Sequence, residues 1–324
     1  MRRREFIALA GKVAVAWPLA ARAQQGPVPV IGFLGGNSLS TTASFVAALH
    51  QGLKEGGYAE GRNLSVEYRW AEGHFERLPG LAAELVSRKV AVLFAGGPPA
   101  AIAAKAATSS VPVVFTSGDD PVKLGLVASL ARPGGNLTGV SILIRELQAK
   151  RLQLLHELVP AARTAGLIYH PSESRESRED AEAAAAGIGL RIRPIPITAE
   201  GDLEAAFAGL SGQGVDAVIL SAYPAFLIWS ARIIGLAARA SMPVMYYAGG
   251  DIADGGLIGY GASIPEAYRL AGLYVARVLK GESPSDLPVV QPTKFILAVN
   301  LKTAAALGLA VPLSIIARAD EVIE

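Results

Sequence analysis

Val30-Ile31-Gly32-Phe33-Leu34 runs straight into Gly35-Gly36-Asn37-Ser38, and apolar residues then recur at helical spacing over residues 42–53 until Gly56-Gly57 stops them. A short strand that is apolar on both faces must be covered on both faces, and a helix that follows it at once supplies one cover. The unit therefore reads as the first βα step of a parallel sheet. The step repeats at residues 64–68 with 78–86, at 90–94 with 99–107, and at 113–116 with a helix predicted over 121–130. The cadence restarts after Leu158-Val159-Pro160, with strands predicted at 166–169, 190–197, 215–220 and 243–247. Helices are expected between them near 176–186, 203–210 and 226–240, with 172–180 as a loop and helix start. Residues 257–260, a helix over 265–279 and a final strand at 295–299 are expected to cross back and forth.

The fold class that follows is α/β: two doubly wound parallel-sheet lobes with a ligand cleft between them. The first lobe is expected to comprise residues 27–142 plus about 262–290, and the second 143–261 plus about 291–324. No residue-level repeat links the two halves; the likeness is one of architecture.

Loops at the carboxyl ends of such strands face the cleft, so the candidate ligand contacts can be read directly. In the first lobe they are Asn37 and Ser38, Gly97 and Pro98, Ser117, Gly118 and Asp119, and Ser141. In the second they are Ser172 and Ser174, Ser221 and Tyr223, Tyr247, and Asp251. Asp120 precedes Pro121 and reads as a helix N-cap, which leaves Asp119 as the partner for a ligand ammonium group. Tyr223 and Tyr247 fit either a core edge or a stacking platform, and Trp229 falls inside an apolar helical pattern and reads as core. No arginine or lysine falls in the innermost loops. A ligand carboxylate would then rely on backbone N–H groups, hydroxyls and helix amino ends.

The amino end carries its own message. Arg2-Arg3-Arg4-Glu5-Phe6-Ile7, a short apolar run and Ala21-Arg22-Ala23 form an export signal over residues 1–23, with paired arginines that suit the twin-arginine route and a mature chain starting near Gln24. Removing it takes away five basic residues and one acid, so the formal charge of +2 becomes −2. A near-neutral surface of this kind gives no footprint for nucleic acid. With Cys 0 there is no lipid anchor, no disulfide and no thiol nucleophile. The expected product is a soluble periplasmic monomer.

Catalytic patterns are sparse. His50, His74, His156 and His170 lack metal-ligand spacing, Gly36-Asn37-Ser38-Leu39-Ser40 lacks the last glycine of a nucleophile elbow, and Gly259-Tyr260-Gly261 is followed by Ile264 where a dinucleotide fingerprint needs glycine. No cofactor or metal is indicated. An enzyme reading would cast Asp119 or Asp251 as a general base, and a sensory module for a receptor would share the fold.

Tyr68-Arg69-Trp70-Ala71-Glu72-Gly73, Ala131-Arg132-Pro133-Gly134-Gly135-Asn136-Leu137-Thr138-Gly139-Val140-Ser141, Gly255-Gly256-Leu257-Ile258-Gly259-Tyr260-Gly261 and Gln291-Pro292-Thr293-Lys294-Phe295 follow one another in order along the chain. Together these stretches resemble the ABC-transporter substrate-binding proteins of the tryptophan- and tyrosine-binding type. The resemblance implies the type I periplasmic binding protein fold, capture of a small-molecule solute by lobe closure, and delivery to ABC permease subunits in the membrane. An aromatic amino acid, or a related aromatic or carboxylate solute, is the implied ligand. The chain departs from that pattern at His170, where the family commonly has asparagine, and at Ala248-Gly249-Gly250-Asp251.

Overall fold

The computed structural model describes residues 28–142, 147–173 and 175–324. The export signal expected over residues 1–23 and the candidate Ser174 lie outside the described residues.

Strand β1 (Val30–Gly35) is followed by helix α1 (Leu39–Glu55), then β2 (Ser65–Trp70) and α2 (Leu78–Ser87). The lobe continues through β3 (Val92–Gly96), α3 (Pro98–Ala107), β4 (Val113–Ser117) and β5 (Leu137–Ser141). Their order across the sheet is β2-β1-β3-β4-β5, all parallel. The register aligns the carboxyl ends, so that Gly35 lies opposite both Trp70 and Gly96, and Gly96 opposite Thr116. Ile31, Phe33, Val92, Phe94 and Val114 bury one face of this sheet, and Leu34, Leu93, Ala95, Val113 and Phe115 bury the other. Continuous apolar strands are the sequence record of that double burial.

The second lobe opens with α4 (Gln148–Leu158) and continues through β6 (Thr164–Tyr169), α5 (Arg175–Ala186), β7 (Arg191–Pro196), α6 (Asp202–Gly209) and β8 (Ala217–Leu220). Then come α7 (Ala225–Ile228), α8 (Ser230–Arg239), β9 (Val244–Tyr246), α9 (Gly250–Ala253) and β10 (Ile258–Ala262). Helix α10 (Ile264–Leu279) crosses to the first lobe and packs along α1, after which β11 (Phe295–Asn300), α11 (Leu301–Ala306), α12 (Leu313–Ile316) and β12 (Glu321–Ile323) complete the second. The sheet order is β12-β11-β10-β9-β8-β6-β7. Its β7-β6-β8-β9-β10 portion repeats the winding of the first sheet, since the lobe's first strand again sits between its second and third.

Four expectations need correction. Residues 121–130 form turns, because Gly125 adopts φ +66° and the N–H groups of Leu126 and Val127 fold back onto the Pro121 carbonyl. Asp120 caps only that turn, accepting from the N–H groups of Val122 and Lys123 at 2.8 and 3.3 Å. The helix expected over 226–240 breaks at Trp229 into α7 and α8, and this half-buried indole packs beside Phe226 at a centroid distance of 5.8 Å. The second sheet is not wholly parallel: β11 pairs antiparallel with β10 after the chain returns from α10, and the short β12 follows it at the edge.

Candidate functional site

In each sheet the direction of winding reverses between the lobe's first and third strands, so the loops after those strands part and leave a crevice. The two crevices face one another across a cavity of about 480 Å³. From the first lobe its wall takes Asn37 after β1, Gly97 and Pro98 after β3, and Gly118 and Asp119 after β4. From the second it takes Ser172 and Glu173 after β6, Ser221 and Tyr223 after β8, and Tyr247 after β9.

The loop geometry is fixed by short local bonds. Gly97 is at φ +91°, a conformation that strains any residue with a Cβ, and its N–H donates to the Thr116 carbonyl and hydroxyl oxygens at 3.1 Å each. Pro98 and Pro99 then open α3 without N–H donors, which makes this helix end a poor anion site. On the facing wall the Glu173 carboxylate accepts from the Ser221 hydroxyl at 2.6 Å and from the His170 N–H at 2.9 Å. The His170 ring stacks flat on Tyr223 at a centroid distance of 4.1 Å and an angle of 4°.

Of the candidates read from the sequence, Asn37, Gly97, Pro98, Gly118, Asp119, Ser172, Ser221, Tyr223 and Tyr247 meet at this cavity. Four lie outside its wall. Ser38 sits at the start of α1, where its carbonyl accepts the Thr42 hydroxyl at 2.7 Å. Ser117 is fully buried and donates its hydroxyl to the Asp119 carbonyl at 2.8 Å, shaping the turn from behind. Ser141 is buried in the strand pairing, with its N–H on the Val290 carbonyl. Asp251 is folded inward at the start of α9, where it accepts the Ser230 hydroxyl at 2.5 Å.

The cavity also has groups that strand-end loops do not supply, among them two arginines carried on helices. Arg151 of α4 lines it while only 1% exposed, with one guanidinium nitrogen donating to Gln148 Oε1 at 2.7 Å. Burial lowers its pKa to about 10, opposed by the nearby Tyr247 and Glu173. Arg178 of α5 lies over the Tyr169 ring, 4.6 Å from its centroid. The wall is strongly aromatic: Phe45, Trp70, Phe75 and Tyr268 on one side, and Tyr169, Tyr223 and Tyr247 on the other. Burial pushes Tyr268 up to about 12 and raises Tyr247 well above the ordinary phenol value, so both are neutral hydroxyls near neutral pH. Asn37 Oδ1 is buried in this wall with no hydrogen-bond partner among the described residues.

What such a cavity can do is hold a small molecule with a flat apolar part and charged groups of both signs. Among the described residues, no group of three or more His, Cys, Asp or Glu side chains is placed to hold a metal ion. No described helix is long and apolar enough to cross a membrane.

Comparison with known proteins adds the family. The model of a family described as ABC transporter substrate binding protein matches residues 27–323. A tyrosine-binding protein of Clostridioides difficile (strain R20291) is 28% identical over 260 residues, covering 79% of this chain and 74% of the relative. The structure of an ABC domain in complex with L-Trp from Streptococcus pneumonia superposes with a TM-score of 0.83 at 24% identity, covering 92% of this chain and 100% of that one. A conserved domain protein of Vibrio cholerae gives 0.83 at 26% identity, covering 91% and 100%. The chain belongs to the ABC transporter substrate-binding protein family.

Proposed function

We propose that the chain captures an aromatic amino acid between its lobes, outside the cytoplasmic membrane, as a monomer that delivers the solute to ABC permease subunits. The observation that carries this reading is the presence of two arginines, Arg151 and Arg178, and two carboxylates, Asp119 and Glu173, in a cavity also lined by aromatic rings. A zwitterion leaves that charge balance intact, whereas a singly charged ligand would leave one unit of charge uncompensated. The rings supply stacking and edge contacts to a flat side chain. The buried Asn37 oxygen supplies an acceptor for a ligand donor. The names of the tyrosine-binding relative and of the L-Trp complex point to the same ligand class. The first lobe, residues 27–142 with about 262–290, and the second, 143–261 with about 291–324, would move as bodies about the crossing segments.

Calorimetry with L-tryptophan and L-tyrosine tests the reading. One site per chain is expected, with weaker binding of tryptamine and of indole-3-propionate, which lack the carboxylate and the ammonium group respectively. At a hundred times its dissociation constant the ligand should add about 2.7 kcal/mol to the unfolding free energy. Failure of both amino acids to bind would sink the assignment.

A further inference from the structure

His170 does not line the cavity, yet three side chains that do are arranged around it. Its ring is the surface on which Tyr223 lies, and its backbone N–H holds Glu173. Its Nδ1 takes the N–H of Ser172 at 3.1 Å, with the Ser172 hydroxyl 2.6 Å away. An amide N–H can only donate, so Nδ1 carries a lone pair and the ring proton sits on Nε2. The main chain of Thr198, after β7, acts to raise the ring's pKa, as a carbonyl facing that Nε2–H would.

We propose that His170 is a positioning residue, which holds Ser172 and Tyr223 in their cavity-facing poses only while its imidazole is neutral, so that acid weakens capture of the ligand. The proposal rests on the reading of the cavity as an amino-acid site. When a proton from solvent takes up the Nδ1 lone pair, an N–H on Nδ1 faces the N–H of Ser172, and two donors cannot remain at hydrogen-bond distance. The Ser172 hydroxyl must turn to accept instead of donating. The turn that carries Ser172 and Glu173 is then rebuilt at the cavity wall, and the ring on which Tyr223 stacks becomes a cation.

The surroundings are consistent with a ring that stays neutral until the solution is acid. Glu173 in the same turn spends one oxygen on the Ser221 hydroxyl and the His170 main chain. Beyond Thr198, the Asp202 carboxylate at the start of α6 is taken up by the Thr198 N–H and hydroxyl at 2.9 and 2.6 Å. From the β8 side the ring meets Tyr223, whose own pKa is raised by burial. Burial sets the His170 pKa below the usual imidazole value, against the opposing effect of the Thr198 bond.

The test uses the full chain and L-tryptophan or L-tyrosine, whichever calorimetry shows to bind. Wild-type affinity should fall about three- to tenfold between about pH 7.5 and pH 5, the scale of one net hydrogen bond. His170→Asn offers an amide oxygen to the Ser172 N–H and does not titrate, but it removes the ring on which Tyr223 stacks; it should bind more weakly than wild type at pH 7.5, more tightly than His170→Phe, and lose the acid dependence. His170→Phe keeps a flat ring but no acceptor, and should bind weakly at both pH values. A flat wild-type profile, or an unchanged acid dependence in His170→Asn, would overturn the proposal. Nitrogen–proton correlation spectra of the ligand-free protein give an independent reading. The Nε2–H tautomer is expected near pH 7.5, and finding the Nδ1–H form would overturn the positioning role whatever binds. If neither amino acid binds wild type, the ligand assignment fails and these spectra alone decide the role of His170.

Discussion

Asp251 follows β9, where a cleft residue is expected, yet it is 8% exposed and serves the protein rather than the cavity. Burial, opposed by the Ser230 hydrogen bond and reinforced by Asp254, raises its pKa from 3.8 to about 6. Between those values the folded chain binds more protons than the unfolded one, so stability falls as the pH rises from about 4 to about 6. Asp251→Asn keeps an acceptor for the Ser230 hydroxyl and abolishes this slope. Urea unfolding should find the variant more stable than wild type by on the order of 1 to 3 kcal/mol at pH 8 and equal to it near pH 4. A variant no more stable at pH 8 would show that the carboxylate is well solvated or paired when ionised. The same residue marks what the sequence could and could not convey about the site. Position after a strand located Asn37, Gly97, Asp119, Ser172, Ser221 and Tyr223 at the cavity, because doubly wound sheets place those loops there whatever their composition. It could not tell which side chains turn inward, as those of Ser117 and Asp251 do. Arg151 was missed because it sits on a helix. Its one signal is an arginine on the stripe shared with Leu155 and Leu158, both buried, where an apolar residue belongs.

Among the helices, the tightest constraint is where α1 meets α10. A Cβ on Gly52 would lie 1.9 Å from the Arg269 carbonyl oxygen, and one on Gly272 would lie 2.2 Å from that of Leu49. The two backbones touch there, so an added methyl must push the helices apart rather than merely displace a flexible side chain. Gly272→Ala should cost about 1 to 3 kcal/mol by overpacking. It should also weaken ligand binding, because Tyr268, one turn earlier on α10, lines the cavity. Thermal unfolding and calorimetry on the same sample check both effects. Unchanged stability would mean that the helix pair slides freely. Elements whose apolar residues repeat at a fixed period were legible in the sequence, as β1, β3, α1 and α10 illustrate. Residues 121–130 were not, because helical spacing there competes with Gly125 in the left-handed region and with the turn closed on Pro121. The break at Trp229 was likewise hidden, since helical spacing continues across it from α7 into α8.

At the scale of the molecule, the winding common to both sheets was written in the strand cadence, but the contacts across the cleft were not, because they join residues far apart in the chain. Phe75 of the first lobe meets Tyr223 of the second edge-on at a centroid distance of 6.2 Å. At the rim Lys123, in the turn after β4, pairs with Glu176, in the first turn of α5, at 3.5 Å. Both contacts bridge the two lobes and would be lost on opening, so each should contribute to ligand affinity through the closed state alone. Their weights differ. Lys123 and Glu176 are each 67% exposed, which places the pair among surface ion pairs worth about 0 to 1 kcal/mol. Lys123→Glu loses that attraction and adds a repulsion of similar size, so it should weaken an aromatic amino acid by no more than about thirtyfold at low salt, and the penalty should shrink at high salt as screening removes the repulsion. The double exchange Lys123→Glu with Glu176→Lys should restore most of the loss, because the pair is re-formed with its signs reversed. Small-angle scattering on the same samples supplies the structural half of the test. Wild type should contract on saturation with ligand, and the single variant should contract only at higher ligand concentration. Equal affinities in all three proteins at low salt would remove the ion pair from the closing equilibrium, and an unchanged radius of gyration at saturation would remove the closing motion itself.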